Sequence, residues 1–329
     1  MKKSLKTTLV ASGLLALTGL ICMLVAFCFS GFGLKSMIDG ESETQTVIIE
    51  NGEDIKNIIL NQSCFDLEIC LAGDGVFRIE NPSVNNLSFD YYLDEDGITL
   101  KNNVTDERKW YEYISLFFNR SEKVTKIYIP QKQYETLNLD CGESDVAVKY
   151  NLSFENCEIT TTSGDIDYSV VDAQRVKLTT QSGDMRFTHV VHGEASLQTE
   201  SGDVYISSAS DVTVDANTLS GDVSAENASF KRLSVKTESG DITVDKISAS
   251  EQWMGLNTNS GDINARDVRS EKIYFTTVSG DVDGTIATPA RFEVDNAQGE
   301  TDIIGDRKNS DVLCSVKTQS GDIHIKAAE

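Results

Sequence analysis

The first feature of the chain that could carry chemistry is a series of carboxylates at fixed spacing. Asp165, Asp184, Asp203, Asp222, Asp241, Asp262, Asp281 and Asp322 each close a Ser-Gly-Asp triplet, and the degenerate triplets Cys141-Gly142-Glu143 and Gln298-Gly299-Glu300 add Glu143 and Glu300. Stacked about 4.8 Å apart, such a column would either gather a cation such as Ca²⁺ or serve tight turns, where Asp and Ser accept backbone N–H bonds. One carboxylate per 19 residues is sparse for a calcium repeat, so the spacing favours turn chemistry and no bound metal.

Other reactive residue types are thinner. A Thr column (Thr161, Thr180, Thr199, Thr218, Thr237, Thr258, Thr277, Thr318) could match a periodic lattice if exposed. Its parity with neighbouring apolar positions instead places it inward, with hydroxyls bonding each other or the backbone. His189 and His192 lack a third ligand nearby and read as a surface loop. Cys64 and Cys70 could form a redox pair. With Cys141, Cys157 and Cys314, however, they make an odd set that fits no disulfide framework and reads as small buried hydrophobes. No nucleophile elbow, zinc-helix motif or phosphate loop is present, so neither an enzyme nor a cofactor is expected. The aromatic run containing Trp110, Tyr111, Tyr113, Phe117 and Phe118 is the expected binding surface, or else a plug for one end of the fold.

The elements that would hold these residues follow from the repeat. Successive Ser-Gly-Asp triplets lie 19, 19, 19, 19, 21, 19 and 41 residues apart, the last interval dividing at Gln298. The positions four and six residues before each corner are apolar, as in Leu178 and Val176 or Val235 and Leu233, and an apolar residue recurs three after the corner Ser. A period of two on both sides of a tight turn means strand, turn, strand. A unit of 19 residues cannot bury its apolar face alone, so units must stack, and the expected fold is an all-β parallel β-solenoid. The corner glycines Gly164, Gly183, Gly202, Gly221, Gly240, Gly261, Gly280 and Gly321 are expected to supply positive φ. Because the chain stops soon after Asp322, the strand Ile323-His324-Ile325-Lys326 is expected as an open edge through which the protein could associate.

Residues 8–34 carry no charge and are long enough for a transmembrane helix. Lys2, Lys3 and Lys6 precede this stretch, whereas Asp39, Glu41 and Glu43 follow, which leaves the N-terminus cytoplasmic and the solenoid outside the cell. The expected organisation is a cytoplasmic tail (1–7), a transmembrane helix (8–34), a stalk (35–57), an irregular β region and cap (58–140), and regular repeats (141–329). A formal charge of −23 lacks the basic face that nucleic acid requires.

A short strand ending in Pro, Ile127-Tyr128-Ile129-Pro130, followed by many T-x-S-G-D corners, resembles the bacterial putative-adhesin family of β-strand-repeat proteins. Toastrack-like membrane-anchored extracytoplasmic domains belong to the same broad group. The likeness runs from about Ile58 onward; the aromatic insertion and the two degenerate corners depart from it. It implies a membrane-tethered, surface-facing solenoid without enzymatic activity. Two roles are then expected to compete. One is an adhesin-like module binding a protein or an envelope or extracellular polymer. The other is an extracytoplasmic sensor or scaffold of an envelope-stress system.

Overall fold

The computed structural model describes residues 44–109, 123–251 and 253–328. The expected cytoplasmic tail, transmembrane helix and aromatic run 110–118 lie outside the described residues. Among those described, no helix is long and apolar enough to cross a membrane.

The described residues form a parallel β-solenoid of about ten turns with no helix. In a central coil, strand Ser210–Asn217 runs into the corner Ser220-Gly221-Asp222, and strand Val223–Lys236 leaves it and continues into the next coil. Registers beside the corner are homologous: Val214 pairs with Leu233, Ala216 with Val235 and Val204 with Val223. Inward side chains therefore stack like on like, and one apolar cluster runs from Ile55 to Ala327. Alternation alone dictates this, because each strand's inward set has nothing to pack on except the coils beside it.

The corner glycines are needed for a reason other than the expected one. None of the eight Ser-Gly-Asp glycines has positive φ. A Cβ on Gly221 would instead stand 1.9 Å from the carbonyl oxygen of Gly202 in the coil beneath, and one on Gly183 would stand 2.0 Å from that of Gly164. Close backbone approach between coils, not turn conformation, excludes every side chain there. Left-handed backbone occurs at a second corner, where Tyr150, Val170, His189, Ser208, Asn227, Lys246 and Asp267 have φ between 50° and 86°.

The C-terminal end departs from chain order. Strand Ile323–Ala327 is not an open edge: it pairs in parallel with Val282–Ile286 on one side and with Thr301–Ile304 on the other. Strand Leu313–Thr318 is likewise held between Lys272–Thr276 and Arg291–Asn296. The last coil of the sequence inserts beneath the one before it, so the degenerate coil around Gln298-Gly299-Glu300 becomes the terminal one. The full Thr and Gly-Asp set of the last coil matches the regular stack, which is why it takes the inner place. The premise for association through the C-terminal strand thus falls.

The opposite end is closed by antiparallel strands. Thr44–Ile48 pairs with Arg78–Pro82, which pairs with Val124–Ile129, itself parallel to Asp66–Leu71. On the other wall a hairpin, Leu87–Leu93 and Thr99–Asp106, lies against Asn57–Asn61 and turns at Gly97 with φ 70°. Residues 44–57 were expected in the stalk; the β-branched run Thr46-Val47-Ile48 builds sheet instead.

Candidate binding surface

The Ser-Gly-Asp edge binds its own neighbours. Each Asp Oδ1 accepts the backbone N–H of the Asp in the next coil: Asp184 N–H to Asp165, Asp203 to Asp184, Asp222 to Asp203 and Asp241 to Asp222, all at 2.8 Å. The series continues through Asp262, Asp281 and Asp322 to the N–H of Glu300. At its start the ladder residue is Asp145, not Glu143, since Asp165 N–H donates to Asp145 Oδ1 at 2.9 Å and Asp145 N–H to Asp66 Oδ1 at 3.1 Å. Residues 141–145 therefore place Cys141 in the Thr column and Ser144 beneath Gly164, two positions away from the triplet alignment. Among the described residues no cluster of three His, Cys, Asp or Glu could hold a metal ion.

The Thr column is buried and relays between coils. Thr218 Oγ1 accepts the Gly221 N–H at 3.1 Å and donates to the Gly202 carbonyl at 3.2 Å, and Thr237 repeats the pattern with Gly240 and Gly221. One hydroxyl thus satisfies a donor of its own coil and an acceptor of the next, which explains why Thr recurs at a buried site.

None of the five described cysteines is in a disulfide. Burial pushes the Cys70 thiol up to about 11, and Cys141, Cys157 and Cys314 to about 12, so each is held as thiol rather than nucleophilic thiolate. His189 and His192 are exposed; His192 Nδ1 contacts Asp211 Oδ2 at 3.0 Å.

With the corner committed internally, the outward faces of the walls remain for partners. A groove of about 630 Å³ flanks the Asp ladder, between Glu68 and Ser224. The wall formed by the strands that enter the corner carries an aromatic pair that sequence reasoning passed over. Trp253 and Tyr274 lie 6.2 Å apart, edge to face at 79°, with the Arg232 guanidinium 5.6 Å from the Trp253 ring centre. The indole lies over Gly255, where a Cβ would stand 2.4 Å from Cζ3. The signal was available in the sequence: Trp253 stands one residue before inward Met254, and Tyr274 directly follows inward Ile273, so parity turns both outward.

The family comparison agrees with this architecture. The family model Toastrack DUF4097 matches residues 55–229 and 212–329. No curated protein matches the chain. Among solved structures, a putative cell adhesion protein from Clostridium sporogenes ATCC 15579 is 11% identical with a TM-score of 0.20, the match covering 88% of this chain and 100% of that one. A putative lipid binding protein from Parabacteroides distasonis ATCC 8503 is 14% identical with a TM-score of 0.33, over 88% and 98%. The matched residues span the whole solenoid from Ile55, and the chain belongs to the Toastrack DUF4097 family.

Proposed function

We propose that this protein is a membrane-anchored, cell-surface β-solenoid that acts as a non-enzymatic, adhesin-like binding or scaffold module. One observation carries the reading: the Asp and Thr side chains that recur in every coil spend their hydrogen-bonding capacity on neighbouring coils, as in Asp222 with Asp203 and Thr218 with Gly202. Repetition therefore serves length and rigidity, and a rod bearing outward side chains at each coil is a platform for contact rather than for turnover. The uncharged segment 8–34 supplies the tether and the charge asymmetry around it directs the rod outward.

Protease added to intact, wall-stripped cells should degrade the solenoid; protection of residues 44–328 would reverse the topology. The purified full-length chain, returned to lipid vesicles, should co-sediment with isolated cell envelopes and leave their polymers chemically unchanged. Absence of co-sedimentation, or release of cleaved envelope fragments, would overturn the reading.

A further inference from the structure

The wall that carries Trp253 has a charge pattern opposite to that of the molecule. Four successive strands, Val223–Lys236, Met254–Asn257, Lys272–Thr276 and Leu313–Thr318, stack there in register. Their outward positions form a block of three columns: Arg232, Trp253, Lys272 and Leu313; Ser234, Gly255, Tyr274 and Ser315; Lys236, Asn257, Thr276 and Lys317. The block holds four cations and no carboxylate in a chain of formal charge −23. Arg232 is paired with Asp215 on the adjoining coil at 2.5 Å. Lys236, Lys272 and Lys317 make no ion pair among the described residues. Acidic residues frame the block without entering it: Asp215, Glu293 and Asp295 along the axis, with Asp295 in register beside Lys317, Glu251, Glu271 and Asp311 at one margin, and Glu238 at the other.

A cationic block within an acidic surface, three of its four cations outside any ion pair among the described residues, offers a distinct site to an anion. The aromatic pair at its centre adds an apolar surface with polar edges, suited to a ring that is apolar on its face and hydroxylated on its rim. Around it, Ser234, Ser315, Asn257 and Thr276 present small hydrogen-bonding groups with no bulk to obstruct a chain lying along the solenoid axis. Gly255 lets the indole settle onto the sheet, because any side chain there would displace it. Alternating hydroxyl-sized polar groups, spaced cations and a central aromatic match a carboxylate-bearing sugar polymer. An acidic protein would require a broader apolar centre.

We infer that this wall is a binding site for an anionic polysaccharide, a polymer of uronic-acid pyranose units, with Trp253 and Tyr274 seating a sugar ring and Lys236, Lys272 and Lys317 meeting carboxylates. The inference rests on the binding-module reading and names its ligand class.

Calorimetry on the purified full-length chain tests it with three probes: a hexamer of galacturonic acid, its methyl ester and a hexamer of thymidylate. The acidic hexamer should bind, and the ester should bind about tenfold more weakly or worse. Trp253→Ala should weaken the acidic hexamer by about tenfold. Lys272→Gln with Lys317→Gln should weaken it and flatten its dependence on salt, since fewer screened charges remain. Lys246→Gln, at the second corner, should change nothing. Both lysine changes are at exposed positions, so they test the site even if Trp253→Ala unfolds. Equal affinity for acid and ester, no effect of any wall substitution, or tighter binding of thymidylate would overturn the assignment. If the hexamer fails to bind while vesicles bearing the protein still co-sediment with envelopes, this site falls and the binding-module reading stands.

Discussion

The two corners of each coil solve the same geometric problem with opposite materials. At the Ser-Gly-Asp corner the backbones of successive coils come so close that a Cβ on Gly221 would lie 1.9 Å from a carbonyl oxygen, yet the glycine has no left-handed φ. At the second corner the backbone is left-handed, and the residues there are Val170, His189, Ser208, Asn227 and Lys246 rather than glycine. Invariance thus follows contact between coils, not dihedral strain within one. A side chain that strains φ costs about 1–2 kcal/mol and can be absorbed once per coil; a side chain driven into backbone cannot be accommodated without parting the stack.

The largest expected effect breaks the first corner. Gly221→Ala should lower stability by about 4 kcal/mol and the melting temperature by about 10 °C. Val170→Gly, at the second corner, removes the strain of a β-branched residue at φ 56° while its side chain, 45% exposed, gives up little burial. Its melting temperature should stay level or rise by about 2 °C, the added freedom of the unfolded chain opposing the relief of strain. If Gly221→Ala melts like Val170→Gly, the close approach is not what selects glycine.

Next in size is the Thr relay. Thr218→Val keeps shape but leaves the buried Gly221 N–H and the Gly202 carbonyl without the hydroxyl they share, at a cost of about 1–3 kcal/mol. Thr218→Ser should recover most of that in chemical denaturation. A larger loss for Ser than for Val would mean that the methyl packing, not the hydroxyl, holds the column.

The Asp ladder is exposed, so its share is smaller. Asp222→Ala removes the acceptor of the Asp241 N–H and should cost about 1 kcal/mol, by the same amount in calcium and in chelator. A gap between variant and parent that opens only with calcium would restore the cation ladder.

Much of this was legible in the sequence, and the failures are specific. Alternation around each corner gave the solenoid because inward Val214 or Leu233 can pack only on its homologue in the next coil. The inward place of the Thr column followed from the same parity. Reading Glu143 as a ladder member failed because triplet similarity outweighed register: Asp145, two residues on, carries the hydrogen bond. The second corner left no signal, since residues as different as Tyr150 and Ser208 serve there. The exchanged order of the last two coils could not be read either, as strand pairing in a solenoid is decided by three-dimensional fit and not by adjacency in the chain. For the site, attention went to the densest aromatics and missed Trp253, whose meaning depends on a bare Gly255 and on cations from three other strands.

The smallest effect concerns the one coil whose corner substitutes sulfur for hydroxyl. Cys141 occupies the Thr column beneath Thr161, whose Oγ1 bonds the Gly164 carbonyl at 2.7 Å and Thr180 at 2.8 Å on its other side. Burial raises the Cys141 thiol from 9.0 to about 12. The unfolded chain therefore releases this proton near pH 9 while the folded chain retains it, so the stability from keeping the thiol neutral is complete below pH 9 and is lost as pH rises toward 12. Cys157 and Cys314, also raised to about 12, act in the same direction. Cys141→Thr extends the hydroxyl relay by one coil and deletes one of these alkaline liabilities. At pH 7 the variant should match or slightly exceed the parent. At pH 10 it should exceed it by about a further 1 kcal/mol, read as a difference of about 2–4 °C in melting temperature. A parent and variant that run parallel from pH 7 to pH 10 would show that Cys141 is reached by hydroxide without unfolding, and hence that the first corner is looser at this end of the rod than in its centre.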